Sequence, residues 1–221
     1  MKSWPTLDGN APRIIAHRGA SGLMPEHSLE VYALALQQGA DVIEPDLVCS
    51  RDNQLVVRHD RNLTRSTDIA LRPEFAALQR EGDWWVEDLD LAAIAQLRAV
   101  QPFPSRDHQY DRQFRIPTFA AVLLWADTVA RERGAAVTLY PELKAPGYFA
   151  RLGKDPCGRF LSMVRQRHPG RVHVWLQCFE LEPLVQLREA IEAPVFLLLE
   201  RTAPWRRLIP LHAKQVDGFG V

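Results

Sequence analysis

The stretch IIAHRGASGLMPEHSLEVYALALQQGADVIEPDLVCSRDNQLVVRHD, residues 14–60, decides how the rest of the chain is read. Three apolar runs in it end in charge: 13–16 leads into His17 and Arg18, 41–43 into Glu44 and Asp46, and 55–57 into His59 and Asp60. Side chains alternate faces along a strand, so Glu44 and Asp46 share a face, as do Glu142 and Lys144 in the later run TLYPELK, 138–144. Two carboxylates held side by side repel each other unless a cation or a shared proton lies between them. Glu142 supplies a third carboxylate and completes an all-oxygen set suited to Mg²⁺ or Ca²⁺, whereas zinc would call for histidine or cysteine ligands.

His17 and His59 are the candidate general acid and base, because imidazole titrates near neutral pH and passes protons in either direction. Arg18 offers a planar fork for phosphate oxygens, and Lys144 a point charge. A divalent cation, two imidazoles and two cationic side chains describe a site for an anionic phosphate ester better than one for a neutral substrate. Two plainer readings stand beside it. The acids can be ion-pair partners of Arg18 and Lys144 with no metal, since buried carboxylates need one compensation or the other. Glu44 and Glu142 can also be the paired acids of a glycosidase, although such a site needs neither the two histidines nor the cations.

Working outward, the spacing predicts strands at 13–17, 41–48, 54–59, 136–143, 172–179, 194–199 and 216–221. Helices are expected at 28–38, 118–133, 156–167 and 182–191. Ser28 and Thr118 are placed to cap their helices, and Gly39 and Gly134 to stop them. Strands alternating with helices imply an α/β fold of the TIM-type (β/α) barrel, with chemistry at the C-terminal strand ends. The expected domain is a single barrel over residues 1–221, with a small insertion at about 71–114 after strand three. That insertion carries helices at 73–80 and 89–100, the pair Trp84 and Trp85, and the polar run QPFPSRDHQYDRQFR. The two tryptophans either pack the insertion onto the barrel or line an alcohol-binding wall. Seven strands precede the last residue, so the C-terminal end of the barrel is expected to be incomplete. An open parallel sheet exposes edges that proteins usually cover.

The charge balance excludes some partners. Lys plus Arg (27) equals Asp plus Glu (27), which gives no electrostatic basis for nucleic-acid binding. An apolar fraction of 47% is enough for a sizeable core. No apolar run reaches the length of a membrane span, and the N-terminus carries no leader-like stretch, so a cytoplasmic chain is expected, or a periplasmic or secreted one if a leader has been removed. Cys49, Cys157 and Cys178 have no zinc spacing and are odd in number; Cys49 and Cys178 read as small buried thiols. His27, His108, His168, His173 and His212 read as loop, insertion or packing residues, and Asp60 and Arg65 as scaffolding, with Asp60 an orienting partner.

At these residues the chain resembles the glycerophosphodiester phosphodiesterase family. HRGASGLMPEHSLEVYALALQQGADVIEPDLV at 17–48, HDRNLTRSTD at 59–68 and PELK at 141–144 follow that family's ordered motifs, and the likeness runs from about residue 12 to the C-terminus. His27 and Ser28 stand where the family usually has Asn and Thr, and Asn53 where Gly is common. The resemblance implies hydrolysis of a small-molecule glycerophosphodiester to glycerol 3-phosphate and an alcohol, with one divalent cation on Glu44, Asp46 and Glu142, acid/base catalysis by His17 and His59, and phosphate binding by Arg18 and Lys144. The incomplete barrel leaves a second expectation: a catalytically impaired barrel that binds phosphodiesters.

Overall fold

A computed structural model describes residues 9–220. Residues 1–8 of the lead-in, and Val221 of the expected last strand, lie outside the described residues. The chain enters through β1 (Ile15–His17), then α1 (Leu29–Gln37). The Ser28 hydroxyl accepts a hydrogen bond from the Val31 N–H at 3.2 Å, which satisfies one of the first-turn donors of α1. Past its end, Gly39 takes φ +94°, a left-handed conformation that a residue without a Cβ adopts freely.

The expected strand at 41–48 is two segments, β2 (Val42–Glu44) and β3 (Asp46–Cys49), parted by Pro45, which has no N–H to give a ladder. The break is local, for the Glu142 N–H donates to the Pro45 carbonyl at 3.0 Å and carries the pairing across it. β4 (Leu55–Val57) then returns antiparallel on β3, with Val48 opposite Val56. The third expected strand is therefore the second arm of a hairpin and not a stave of the barrel, as the short connection at 50–54 with no crossover helix requires.

After α2 (Leu91–Ile94) and α3 (Phe119–Arg133), the next stave is again split, into β5 (Val137–Leu139) and β6 (Glu142–Leu143). Two short helices follow, α4 (Pro146–Arg151) and α5 (Pro156–Gln166), then β7 (Val172–Val174) and β8 (Leu176–Cys178). The chain continues through α6 (Leu181–Ala190), β9 (Val195–Leu198), α7 (Trp205–His212) and β10 (Gly218–Gly220). The helices α4 and α7 were not expected from the spacing. The lower ladder runs β1-β2-β5-β7 and the upper one β10-β9-β8-β6-β3-β4, parallel throughout except for β3 with β4. Joined across their breaks, these are the staves of a TIM-type barrel. They curve enough that Ile15 of the first and Phe219 of the last line one cleft. The helices pack outside, where Phe119 of α3 stacks on Phe160 of α5 at 5.4 Å between ring centres, both fully buried.

Between β4 and α3 the expected helices shrink to single turns. Residues 73–80 form a 3₁₀ turn, Pro73–Leu78, and of 89–100 only α2 is helical. The Asp68 carboxylate accepts the Arg98 N–H at 2.7 Å, and Ala99 pairs with Phe114, so the chain beyond α2 is drawn into extended pairing. Trp84 is buried, its indole donating to the Phe75 carbonyl at 2.8 Å, and packs this segment down. No helix among the described residues is long and apolar enough to cross a membrane.

Candidate active site

Register places the polar residues. In β1 and β2 His17 lies opposite Glu44; across β3, β6 and β8 the row is Asp46, Glu142 and Gln177. Glu44 is the last residue of β2 and Asp46 the first of β3, on either side of Pro45. Ligand atoms of Glu44, Asp46 and Glu142 lie within 4.8 Å of one another, and so do those of His17, Asp46 and His59. The His17 and His59 rings are 6.2 Å apart. His17, Glu44, His59, Glu142 and Lys144 line a cleft of about 540 Å³ whose other wall is aromatic, with Tyr140, Trp175 and Phe196.

Burial and charge set the protonation of each group. Burial works to raise the Asp46 carboxyl, but hydrogen bonding from His17 and His27 and the nearby Lys144 charge overcome it and hold it well below the ordinary range. Glu142 goes the other way: burial, opposed by Lys144 and reinforced by the Asp46 charge, pushes it up to about 7. Burial also raises Glu44, which accepts a hydrogen bond from the Gln177 amide. The Asp46 carboxylate, 3.6 Å from His17 Nε2, raises the His17 pKa against the pull of burial. His59 Nδ1 donates to Asp60 Oδ1 at 2.7 Å, so Asp60 has the orienting place expected of it.

The two cations differ. Lys144 Nζ lies 2.9 Å from Glu142 and 3.9 Å from Asp46, facing the cleft. Arg18 turns toward the buried flank, donating to Glu26 at 2.9 Å with its Nε 3.8 Å from Asp46. It sits at φ +64°, and Gly19 beside it has Val31 within 2.6 Å of where a Cβ would stand, so only glycine lets α1 approach this close.

Sequence reasoning missed four residues here. His27, read as a packing histidine, is fully buried with Nε2 2.8 Å from Asp46 Oδ2 and Nδ1 2.8 Å from the Tyr32 hydroxyl. Glu26 anchors Arg18, and the wholly buried Arg58 donates to the Glu26 carbonyl at 3.1 Å. Gln177 was a single polar residue inside an apolar strand, and that was the available signal. Trp85 lines a neighbouring cavity with His59, Asp60 and Lys144, its ring 5.2 Å from Arg61, whereas Trp84 only packs.

The residues present fit a hard divalent cation. The donors are all oxygen, two of the three acids are nearly inaccessible, and Asp46 Oδ1 is buried with no hydrogen-bond partner. A buried carboxylate oxygen left without a donor is expensive unless a cation completes it.

Fold and site together define a parallel α/β barrel with three acids and two histidines gathered in one cleft. The chain belongs to the Glycerophosphoryl diester phosphodiesterase family, which it matches over residues 17–219. It is 34% identical over 188 residues to the glycerophosphodiester phosphodiesterase of Haemophilus influenzae, a match covering 79% of this chain and 51% of that protein. It is 35% identical over 216 residues to glycerophosphodiester phosphodiesterase GDPD6 of Arabidopsis thaliana, covering 88% and 57%. The chain thus spans about half the length of these curated relatives. Its fold is that of an Oleispira antarctica phosphodiesterase solved with the product sn-glycerol-3-phosphate, at TM-score 0.68 and 22% identity, covering 94% of this chain and 74% of that one.

Proposed function

We propose that this chain hydrolyses glycerophosphodiesters to glycerol 3-phosphate and an alcohol, using Mg²⁺ or Ca²⁺ on Glu44, Asp46 and Glu142. The observation that carries the reading is the meeting of both groups, the three acids and His17, Asp46 and His59, each within 4.8 Å, around one shared carboxylate. A divalent cation there supplies positive charge to the phosphate oxygens and acidifies a glycerol hydroxyl. Asp60 is acceptor-only when ionised, so the neutral His59 ring carries its proton on Nδ1 and leaves Nε2 free to take one. His59 then accepts the proton of the attacking hydroxyl, which bonds to phosphorus to give a cyclic phosphate. His17, in its protonated form, which the Asp46 carboxylate favours, gives its proton to the departing alcohol oxygen as the P–O bond breaks. Water opens the ring with the two roles exchanged. Lys144, facing the cleft, and Arg18, braced by Glu26, offset charge on the phosphoryl oxygens. Described cysteines 49, 157 and 178 are free thiols raised to about 12, about 11 and about 12 by burial, which suits inert packing in a reducing compartment, the cytoplasm.

A second reading makes His17, Asp46 and His59 the metal ligands, a nitrogen-containing set that zinc prefers, and removes both proton carriers. Phosphorus NMR of glycerophosphocholine and glycerophosphoethanolamine with the purified chain tests the proposal. EDTA should stop turnover and Mg²⁺ or Ca²⁺ restore it, with an aryl glycoside left intact. Restoration by zinc alone would favour the second reading, and turnover in EDTA would defeat both.

A further inference from the structure

His27 lies on the side of Asp46 away from the cleft and has no access to solvent or substrate. Its two nitrogens bridge Tyr32 of α1 and Asp46 of β3, each at 2.8 Å. An ionised carboxylate only accepts, so Nε2 carries the hydrogen that goes to Asp46 Oδ2. Nδ1 stands 2.8 Å from the Tyr32 hydroxyl, which holds the ring from its other side. Tyr32, the His27 ring and Asp46 thus form one hydrogen-bonded relay that ends in an Nε2–H on Oδ2. The relay ties up one oxygen of Asp46 and leaves the other, Oδ1, buried with no hydrogen-bond partner and with Lys144 Nζ 3.9 Å away. The ring is further restrained by its backbone, at φ +59°, and by its N–H on the Arg18 carbonyl at 3.2 Å. A left-handed non-glycine residue costs energy and persists where its surroundings over-determine it.

We infer that His27 is a positioning residue: its Nε2–H, oriented by Tyr32, locks the Asp46 carboxylate so that Oδ1 is presented to the cation. This rests on the proposed cation site, and the test separates the two. Outer-shell partners of metal ligands typically carry about 10–100-fold in metal affinity. A glutamine amide nitrogen reaches about as far as Nε2, whereas that of asparagine stops near Nδ1 and cannot reach Asp46. Calorimetric titration of Ca²⁺ and of Mg²⁺ into the wild-type chain, His27→Asn, His27→Gln and Tyr32→Phe gives the readout, with circular dichroism reporting the fold.

The expected result is binding about 10–100-fold weaker in His27→Asn, and within about threefold of wild type in His27→Gln. Tyr32→Phe, which keeps the ring but frees the tautomer, should fall between them. A merely structural histidine would lower the melting temperature of both His27 variants and leave the affinity of the folded protein unchanged, which overturns the inference. If neither His27 variant folds, Tyr32→Phe decides it: weakened binding supports the inference and wild-type affinity overturns it. Absence of cation binding by the wild type removes the proposed function, and this inference with it.

Discussion

The two flanks of the cleft are built on different principles. On one side Glu26, His27, Asp46 and Arg58 are closed off from water, with Arg18 on the Glu26 carboxylate, His27 on Asp46, and Arg58 on the Glu26 carbonyl. On the other, His59 and Asp60 are partly open, and Arg61 lies flat on Tyr148 with its Nη2 2.7 Å from that hydroxyl, beside Trp85. Buried polar groups must be satisfied in one arrangement or lose several kcal/mol, whereas exposed pairs contribute about 0–1 kcal/mol each. The closed flank thus sets where Asp46 stands, and the open flank is where side chains meet solvent and ligand.

That contrast is sharpest at Glu26. Glu26→Ala should destabilise the chain by about 3–5 kcal/mol, because it strips the buried Arg58 of its nearest anion and Arg18 of its partner. Urea unfolding measures this, and a loss below about 1 kcal/mol would mean that the closed flank is no more demanding than the open one. On the open side the effect should fall on turnover instead. His59→Ala should lower kcat by more than ~10²-fold with little change in the unfolding midpoint. A variant that keeps wild-type turnover would take His59 out of the chemistry.

Between the flanks stands Glu142, whose folded-state pKa of about 7 lies above its unfolded value of 4.5. The folded chain then holds more protons than the unfolded one from about pH 4.5 to 7, so without cation its stability should fall as pH rises through that window. A cation takes the ionised carboxylate, so its affinity should rise as pH passes through about 7, about tenfold from pH 6 to pH 8. A flat affinity profile would move the raised carboxyl elsewhere. The smallest effect belongs to a pair far from both flanks: Arg51→Ala, which removes an exposed contact with Asp90 of 2.7 Å, should change stability by less than about 1 kcal/mol.

The open flank was also the more legible in the sequence. His17, Glu44, His59, Glu142 and Lys144 each follow an apolar run, as does Asp46 alone of the closed flank, and alternation along a strand sets their parity, so their convergence follows once the staves are parallel. The rest of the closed flank has no such signature. Its members come from the loop before α1 and from an arginine hidden between Val57 and His59, and the left-handed backbone of His27 and Arg18 that turns them inward has no periodic pattern. A lone histidine gives no sign of whether it packs or bridges. The mid-stave breaks at Pro45 and Pro141 were visible as prolines but not as a ladder continuing past them. The expected helix at 89–100 stops after α2 because Asp68 and Phe114 take the backbone N–H groups of Arg98 and Ala99, and 73–80 winds as the 3₁₀ segment Pro73–Leu78 instead of an α-helix. The barrel itself is readable in the sequence, except that the strand after β3 counts there as a stave and in the structure is the second arm of a hairpin.

The most direct measurement is the stoichiometry of cation binding to the intact chain. Titration of Ca²⁺ or Mg²⁺ should give one tight site per chain in the wild type, and none in Asp46→Asn, with Glu44→Gln and Glu142→Gln strongly weakened. Equal binding in Asp46→Asn and the wild type would mean that the three acids are salt-bridge partners and not a cation site.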